Sequence, residues 1–397
     1  MNITEKIKPI HPFAARMAPE IALQALDGLP KGSLILDPMT GSGTVLRTIS
    51  EMGYNGLGLD IDPLSVLMSK AWTTKICEET FLKEAHNILN KSIGIQLENI
   101  SLPWIDEDLN TQKFINFWFA SEQIKALRGL SFFINQNKTL YSSLFKIALS
   151  KLIITKSKGA SLAADVSHSR PHRVRVTNDF DVFREFERVC LNLSKTIFAQ
   201  KLTGEVNIRL GDARRLSSVK KASIDCIITS PPYLNALDYM RGHKLSLVWL
   251  GHSINDLALI RGNSVGAEKA PNTSNIVIAK DVTKKMEEIQ NLPQNKINMI
   301  YRYALDMNNI LKETSRVLKD NGKATFVIGN SSLKGIYIKN TLIAEESAKR
   351  HGLQLIEKQE REIPQNKRYL PPPSNLNNSA FNLRMRTESV ITFKKVL

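Results

Sequence analysis

The 397-residue chain has only three cysteines, Cys77, Cys190 and Cys226, and no CxxC pair. They lie far apart, which excludes a disulfide framework and fits a reducing cytoplasm. No apolar run approaches the ~20 residues of a membrane span, so no membrane partner is expected. The first residues, MNITEKIKPIHPF, lack an apolar h-region, and no secretory signal is expected. There is no internal repeat and no low-complexity tract. His168 and His172 stand four apart without a neighbouring Cys or Glu ligand, so no metal site is expected. Acidic residues are also short, 38 Asp+Glu against 54 Lys+Arg, a net charge of +16. Such an excess favours a polyanionic partner, most simply nucleic acid.

Against these absences, strand and helix patterns are plentiful. SLILD (33–37) reads as a short buried strand, PMTGSGT as a glycine loop, and VLRTISEMG as a helix that stops at Gly53. NGLGLD (55–60) is a second strand ending in Asp60. From about 64 to 200 the pattern is mostly helical, closing in the basic segment VSHSRPHRVRV (166–176) and one more helix. Strands resume at EVNIRLGDAR (205–214), SIDCIITS (223–230), KATFVIGN (323–330), LQLIEKQEREI (353–363) and TESVITFKK (387–395). Residues 252–292 read as a long polar loop. Seven strands with helices between most of them predict an open α/β sheet with helices on both faces. Ligands of such sheets sit at the carboxyl ends of the strands, so Asp37, Asp60, Asp212 and Ser230 are expected to share one crevice.

Two segments carry chemistry. In DPMTGSGT, Gly41 and Gly43 allow backbone to approach a ligand, and the following helix start presents N–H groups. No GK[ST] follows and the spacing is not GxGxxG, which disfavours a nucleoside triphosphate or a dinucleotide. Asp60 suits a pair of ribose hydroxyls, because a carboxylate accepts two hydrogen bonds. In TSPPY, Pro231 and Pro232 have fixed φ and no N–H, and Pro231 pushes Ser230 into extended backbone. The segment is rigid and rich in acceptors, and Tyr233 adds a flat face. It is built to hold an aromatic amine, with acceptors for the two hydrogens and tyrosine for the ring. The alternative is a proline-rich turn that merely stops a strand.

The sequence resembles the S-adenosylmethionine-dependent amino-methyltransferases that modify DNA bases. DPMTGSGT is similar to their motif I, GLGLDIDP to motif II, GDAR to motif III and TSPPY to motif IV. HPFAARMAPEIALQAL is similar to the motif X segment beside the cofactor's methionine end. The resemblance covers roughly 8–75 and 200–397. It implies a Rossmann-like class I methyltransferase sheet of seven strands, with a large helical insertion between the second and third. The implied domains are a discontinuous methyltransferase domain, 1–75 and 200–397, and a helical insertion, 76–199. By resemblance, Arg16, Asp37, Pro38, Thr40, Gly41, Gly43, Thr44, Asp60, Ile61, Asp212 and Ala213 would line the S-adenosylmethionine site. Ser230, Pro231, Pro232 and Tyr233 would act on the target amine. SPPY is more typical of cytosine-N4 enzymes, and DPPY or NPPY of adenine-N6 enzymes. A cytosine-C5 enzyme would need a nucleophilic cysteine, normally after a proline, and no Pro-Cys occurs; Cys226 falls inside a strand.

The implied activity is methyl transfer to cytosine N4 in double-stranded DNA with base flipping. Adenine-N6 transfer is the alternative. A guanine-N2 tRNA methyltransferase and a non-catalytic scaffold are more distant ones. A cognate restriction endonuclease or other defence component is a further implied partner, and a cytoplasmic, nucleoid-associated location is expected. In place of the short helix usual between motifs II and III stands the long insertion. It and residues 252–292 are both candidates for reading DNA. Arg170, Arg173, Arg175, Tyr239 and Arg241 are expected to contact DNA; a solvated basic loop is the alternative for the arginines. FINFWF (114–119) is expected in a helix core.

Overall fold

A computed structural model describes residues 8–14, 16–155, 158–164, 171–234, 238–267, 275–363 and 387–396. Its centre is a seven-stranded sheet: β1 (Leu34–Asp37), β2 (Asn55–Asp60), β3 (Val206–Leu210), β4 (Ile224–Thr229), β5 (Leu318–Ile328), β6 (Leu353–Glu362) and β7 (Thr387–Lys395). The order across the sheet is β6-β7-β5-β4-β1-β2-β3. Strands β1 to β5 pair in parallel, and β7 runs antiparallel between β5 and β6. This is the Rossmann-like α/β sheet expected from the sequence, with the helical insertion between its second and third strands.

Local chemistry explains the strands. β1 and β4 lie mid-sheet, covered on both faces, and read as unbroken apolar runs; Ile35, Leu36, Cys226, Ile227 and Ile228 are fully buried. β6 is an edge strand, and its IEKQERE stretch is almost wholly exposed. Charges there discourage another strand from adding to the edge. From β1 the chain builds outward through β2 and β3, then returns to β4 and builds the other way. The reversal between β1 and β4 opens a crevice at their carboxyl ends.

The helices are α1 (Pro19–Ala25), α2 (Thr44–Glu51), α3 (Pro63–Trp72), α4 (Glu78–Gly94), α5 (Pro103–Asp106), α6 (Leu109–Trp118), α7 (Ser121–Gln136), α8 (Ser142–Ile153), α9 (Val182–Phe198), α10 (Met240–Leu247), α11 (Ile254–Asn263), α12 (Ile276–Thr283), α13 (Gln294–Val317) and α14 (Asn340–Arg350). α4 to α9 fill the interval between β2 and β3. They do not form a core of their own. Leu64 and Met68 of α3, and Leu245, Val248 and Trp249 in and after α10, join the same apolar cluster as Phe81, Phe145 and Phe186. Phe81 and Phe145 stack at 5.0 Å, and Trp249 meets Phe119 edge-on at 5.2 Å. Each such pair adds about 0.5–1.5 kcal/mol beyond burial. The Trp104 indole donates to the Val248 carbonyl at 2.8 Å. The insertion is thereby fastened to the chain that follows the Ser-Pro-Pro-Tyr loop.

Two readings need correction. Residues 252–292 are not a long loop: α11, α12 and a short 3-10 turn at Glu287–Asn291 occupy most of the described part. Ser253 and Asp256 form a capping box that starts α11. The pattern hid these helices because α11 buries only Leu257. In the basic segment, His172–Arg173 pairs antiparallel with Ala163–Ala164. Residues 165–170, with Arg170, lie outside the described residues.

Candidate active site

The crevice is built on three strand ends. β1 ends in Asp37, whose carboxylate is buried and accepts from the Thr229 hydroxyl at 2.8 Å and the Met39 amide at 3.2 Å. Thr229 is the last residue of β4, so this bond closes the floor of the switch point. Burial pushes the Asp37 carboxyl up to about 7. Asp37 therefore stitches the floor together, and Pro38 beside it is buried too.

The glycine loop folds over this floor. Gly41 has φ +50° and Gly43 φ +85°. A Cβ on Gly43 would lie 2.7 Å from the Ser69 Cα, and one on Gly41 would lie 3.2 Å from the Phe13 ring. Gly43 caps α2, and Thr44 is its first residue. The Thr40 hydroxyl is buried with no partner, as is that of Ser69. A buried hydroxyl without a partner is uncommon and marks a place where a ligand atom can bond.

β2 ends in Asp60. Its two carboxylate oxygens accept separately from the Gly41 amide at 2.8 Å and the Asp62 amide at 2.9 Å. Burial, and then the Asp62 charge, raise its carboxyl to about 7. Each oxygen keeps a further acceptor position, and Asp60 is partly accessible, as is Ile61 beside it. Asp62 caps α3 by accepting from the Leu64 amide at 2.9 Å and meets the His243 Nδ1 at 2.5 Å. Burial alone would raise Asp62. The His243 charge and the bonds from His243 and the backbone more than offset it, leaving the carboxyl below its ordinary value.

After β3, Asp212 faces Arg214, which donates to both of its oxygens and to Asp306 on α13 at 2.9 Å. Its carboxylate is partly accessible but already salt-bridged. Ala213 is buried against the sheet.

The Ser-Pro-Pro-Tyr loop leaves β4. Ser230 Oγ lies 3.2 Å from the Val327 carbonyl, to which it donates, and also beside the Tyr233 hydroxyl. Its single proton is drawn inward, so its lone pairs are left as acceptors. Pro231 is buried and Pro232 half-buried. The Tyr233 hydroxyl donates to Glu388 on β7 at 3.3 Å, and Arg361 pairs with Glu388 at 3.2 Å. Burial and the Glu388 charge hold the phenol well above its ordinary pKa, so it stays neutral. Cys226 is fully buried inside β4, and burial raises its thiol to about 12.

The other expected residues fall around the rim. Arg16 and Arg241 are exposed. Tyr239 stacks on Phe13 at 4.8 Å and 9°, so one of its faces is taken. Arg173 is exposed and lies over the Phe117 ring at 4.9 Å; Arg175 is half-buried. Sequence reasoning missed three site contacts: the Phe13–Tyr239 stack, the Asp62–His243 pair and the Glu388 anchor. Asp before Pro at the start of an apolar helix was a readable cap signal for Asp62. Nothing local marked Glu388, which arrives from the last strand.

No protein-family model matches the chain. It is 26% identical to the type II methyltransferase M.MvaI of Kocuria varians, over all of this chain and 92% of that one. It is 25% identical to the type II methyltransferase M.AvaI of Anabaena variabilis, over 80% of this chain and 72% of that one. M.BsoBI of Geobacillus stearothermophilus, also a type II methyltransferase, is 26% identical over 56% and 48%. Among solved structures, an S-adenosylmethionine-dependent methyltransferase of Methanosarcina mazei aligns at 9% identity over 93% and 95%, with a TM-score of 0.35. That score is too low to add to what the sheet order already shows.

Proposed function

We propose that the chain is an S-adenosylmethionine-dependent DNA methyltransferase that modifies the exocyclic N4 amine of cytosine. The observation that carries the reading is the Ser-Pro-Pro-Tyr loop, leaving a central strand at the switch point beside a glycine loop and two carboxylates. The type II methyltransferases similar along most of the chain support DNA as the substrate.

The residues present fit the cofactor. Thr40 offers a buried hydroxyl without a partner, Gly41 and Gly43 let the loop pack against Phe13 and Ser69 where a Cβ would not fit, and Asp60 keeps acceptor positions for two hydroxyls. Asp212 and Ile61 are candidates to flank the adenosine, and Arg16 is a further candidate for the carboxylate of the cofactor's methionine part. When bound, S-adenosylmethionine supplies an electrophilic methyl group on a sulfonium.

The chain's own residues do the rest. A base must leave the duplex before its amine can be reached. Ser230 Oγ and the Pro231 carbonyl accept the two amine hydrogens, which turns the nitrogen lone pair out of the ring plane. Tyr233 offers its ring face to the base, with its hydroxyl tied back to Glu388. Positive charge then grows on nitrogen, and acceptors already fixed in place stabilise it without reorganising. One amine proton is finally lost to water. No covalent intermediate is needed.

Serine in the first position favours cytosine, since that residue is more typical of cytosine-N4 enzymes; adenine N6 is the alternative. Ser230→Ala removes an acceptor for the amine, together with the bond to the Val327 carbonyl. It should lower kcat at least about 100-fold, in line with the loss of one preorganised electrostatic group, while cofactor affinity by calorimetry stays within about threefold. Equal loss of both would show that Ser230 only supports the fold.

A further inference from the structure

We propose that the aromatic and basic face formed by α6, α10 and the 172–173 ladder is where duplex DNA docks beside the base-binding loop. This rests on the DNA-methyltransferase reading above. FINFWF was expected in a helix core, but only part of it is buried. Within it Ile115 and Phe119 turn inward, while Phe117 is 50% exposed. Phe117 meets Trp118 edge-on at 5.1 Å, and Phe114 lies 6.2 Å from Trp118.

Cations sit on these rings from two other segments. Arg173 lies over Phe117 at 4.9 Å, and Lys244 of α10 over Phe114 at 5.2 Å. Among the described residues, neither pairs with a carboxylate. Arg241 and Arg261 share one acid, Asp238, at 3.0 and 2.7 Å. Burial, and then the charges of Arg261 and Arg241, lower the Lys244 pKa, so these cations feel one another. Among the described residues these four cations have one carboxylate partner between them, Asp238, and a phosphate backbone would supply the missing anions.

Its position fits as well. α10 follows the Ser-Pro-Pro-Tyr loop in the chain, and Tyr239 at its start stacks on Phe13, the ring that covers Gly41. DNA lying on the face would be anchored on the same helix that borders the flipped base. The cations would take phosphates. Phe117 is an exposed apolar side chain of the kind that wedges against unstacked bases.

The test is anisotropy of a short labelled duplex across a salt series, with full-length protein and cofactor affinity by calorimetry as the control. Removing a phosphate-contacting cation lowers the slope of log K against log salt by about 0.9. Arg173→Met should show this once, and Arg173→Met with Lys244→Met twice, about 1.8. Phe117→Ala should weaken binding at least about tenfold with the slope unchanged, and Phe117→Leu should restore part of it. If Lys244→Met fails to fold, Arg173→Met alone decides, since its site is an exposed ladder. Wild-type affinity and slope in variants that still bind cofactor would overturn the proposal and leave the face to a protein partner. Wild-type protein that binds cofactor but no duplex at any salt would overturn the DNA reading itself, and this proposal with it.

Discussion

The Asp62–His243 pair joins the loop after β2 to α10, and breaking it should cost more than any surface ion pair. The two side chains are 11% and 8% exposed and meet at 2.5 Å. Removing one partner of a buried pair leaves an uncompensated group and typically costs about 3–5 kcal/mol. Asp62→Asn is the cleanest perturbation, because its amide oxygen can still cap α3 by accepting from Leu64. Its expected cost at pH 7 is about 3 kcal/mol. Asp62→Ala, which also loses the cap, should cost about 1 kcal/mol more. Urea unfolding of Asp62→Asn, His243→Ala and the double variant gives a coupling energy expected at about 2 kcal/mol or above. The pH dependence has a definite sign. Asp62 titrates below its ordinary value in the fold, so its stabilisation is complete above pH about 4 and is lost as pH falls through the native pKa. A coupling under about 0.5 kcal/mol, or a difference from wild type that does not shrink in acid, would refute the reasoning.

Gly43→Ala combines a left-handed φ with a Cβ 2.7 Å from backbone of α3. It should destabilise by about 2–4 kcal/mol and abolish measurable cofactor binding; thermal unfolding and calorimetry check both. Asp37 holds its proton more tightly folded than unfolded, with its carboxyl at about 7 against 3.8. Its contribution therefore falls as pH rises from about 4 to about 7. Asp37→Asn keeps an oxygen for Thr229 and Met39, so it should gain stability relative to wild type across that window, by at most roughly 4 kcal/mol. A constant difference by urea unfolding would show that Asp37 titrates normally. Tyr233→Phe loses one bond to Glu388 and should keep most activity, whereas Tyr233→Ala loses the ring face and should lose most of it.

The centre of the sheet was legible because β1 and β4 are buried on both faces and punctuated. LIL ends in Asp37 before a proline, and CII ends at Thr229 before SPP; these boundaries need only local chemistry. The glycine loop and Ser-Pro-Pro-Tyr were legible for the same reason, since φ > 0 and missing N–H groups are properties of single residues. Contacts between distant segments were not legible. Glu388 reaches Tyr233 from β7, His243 reaches Asp62 across 181 residues, and Arg214 ties Asp212 to Asp306. The helices within 252–292 failed as a pattern for another reason. α11 buries only Leu257, so no apolar stripe marks it. In α6 the stripe exists but is broad, and the sequence did not separate Phe119, which is buried, from Phe117, which is not.

The central claim is that the Ser-Pro-Pro-Tyr loop presents a cytosine amine for methylation. The direct measurement is incubation of the protein with isotope-labelled S-adenosylmethionine and mixed-sequence duplex DNA, followed by digestion and mass spectrometry of the nucleosides. Label in N4-methylcytosine is the predicted result, lost in Ser230→Ala. Label in N6-methyladenine would keep the fold and the mechanism but contradict the choice of base, and a cofactor-binding protein that leaves no label in DNA would contradict the account.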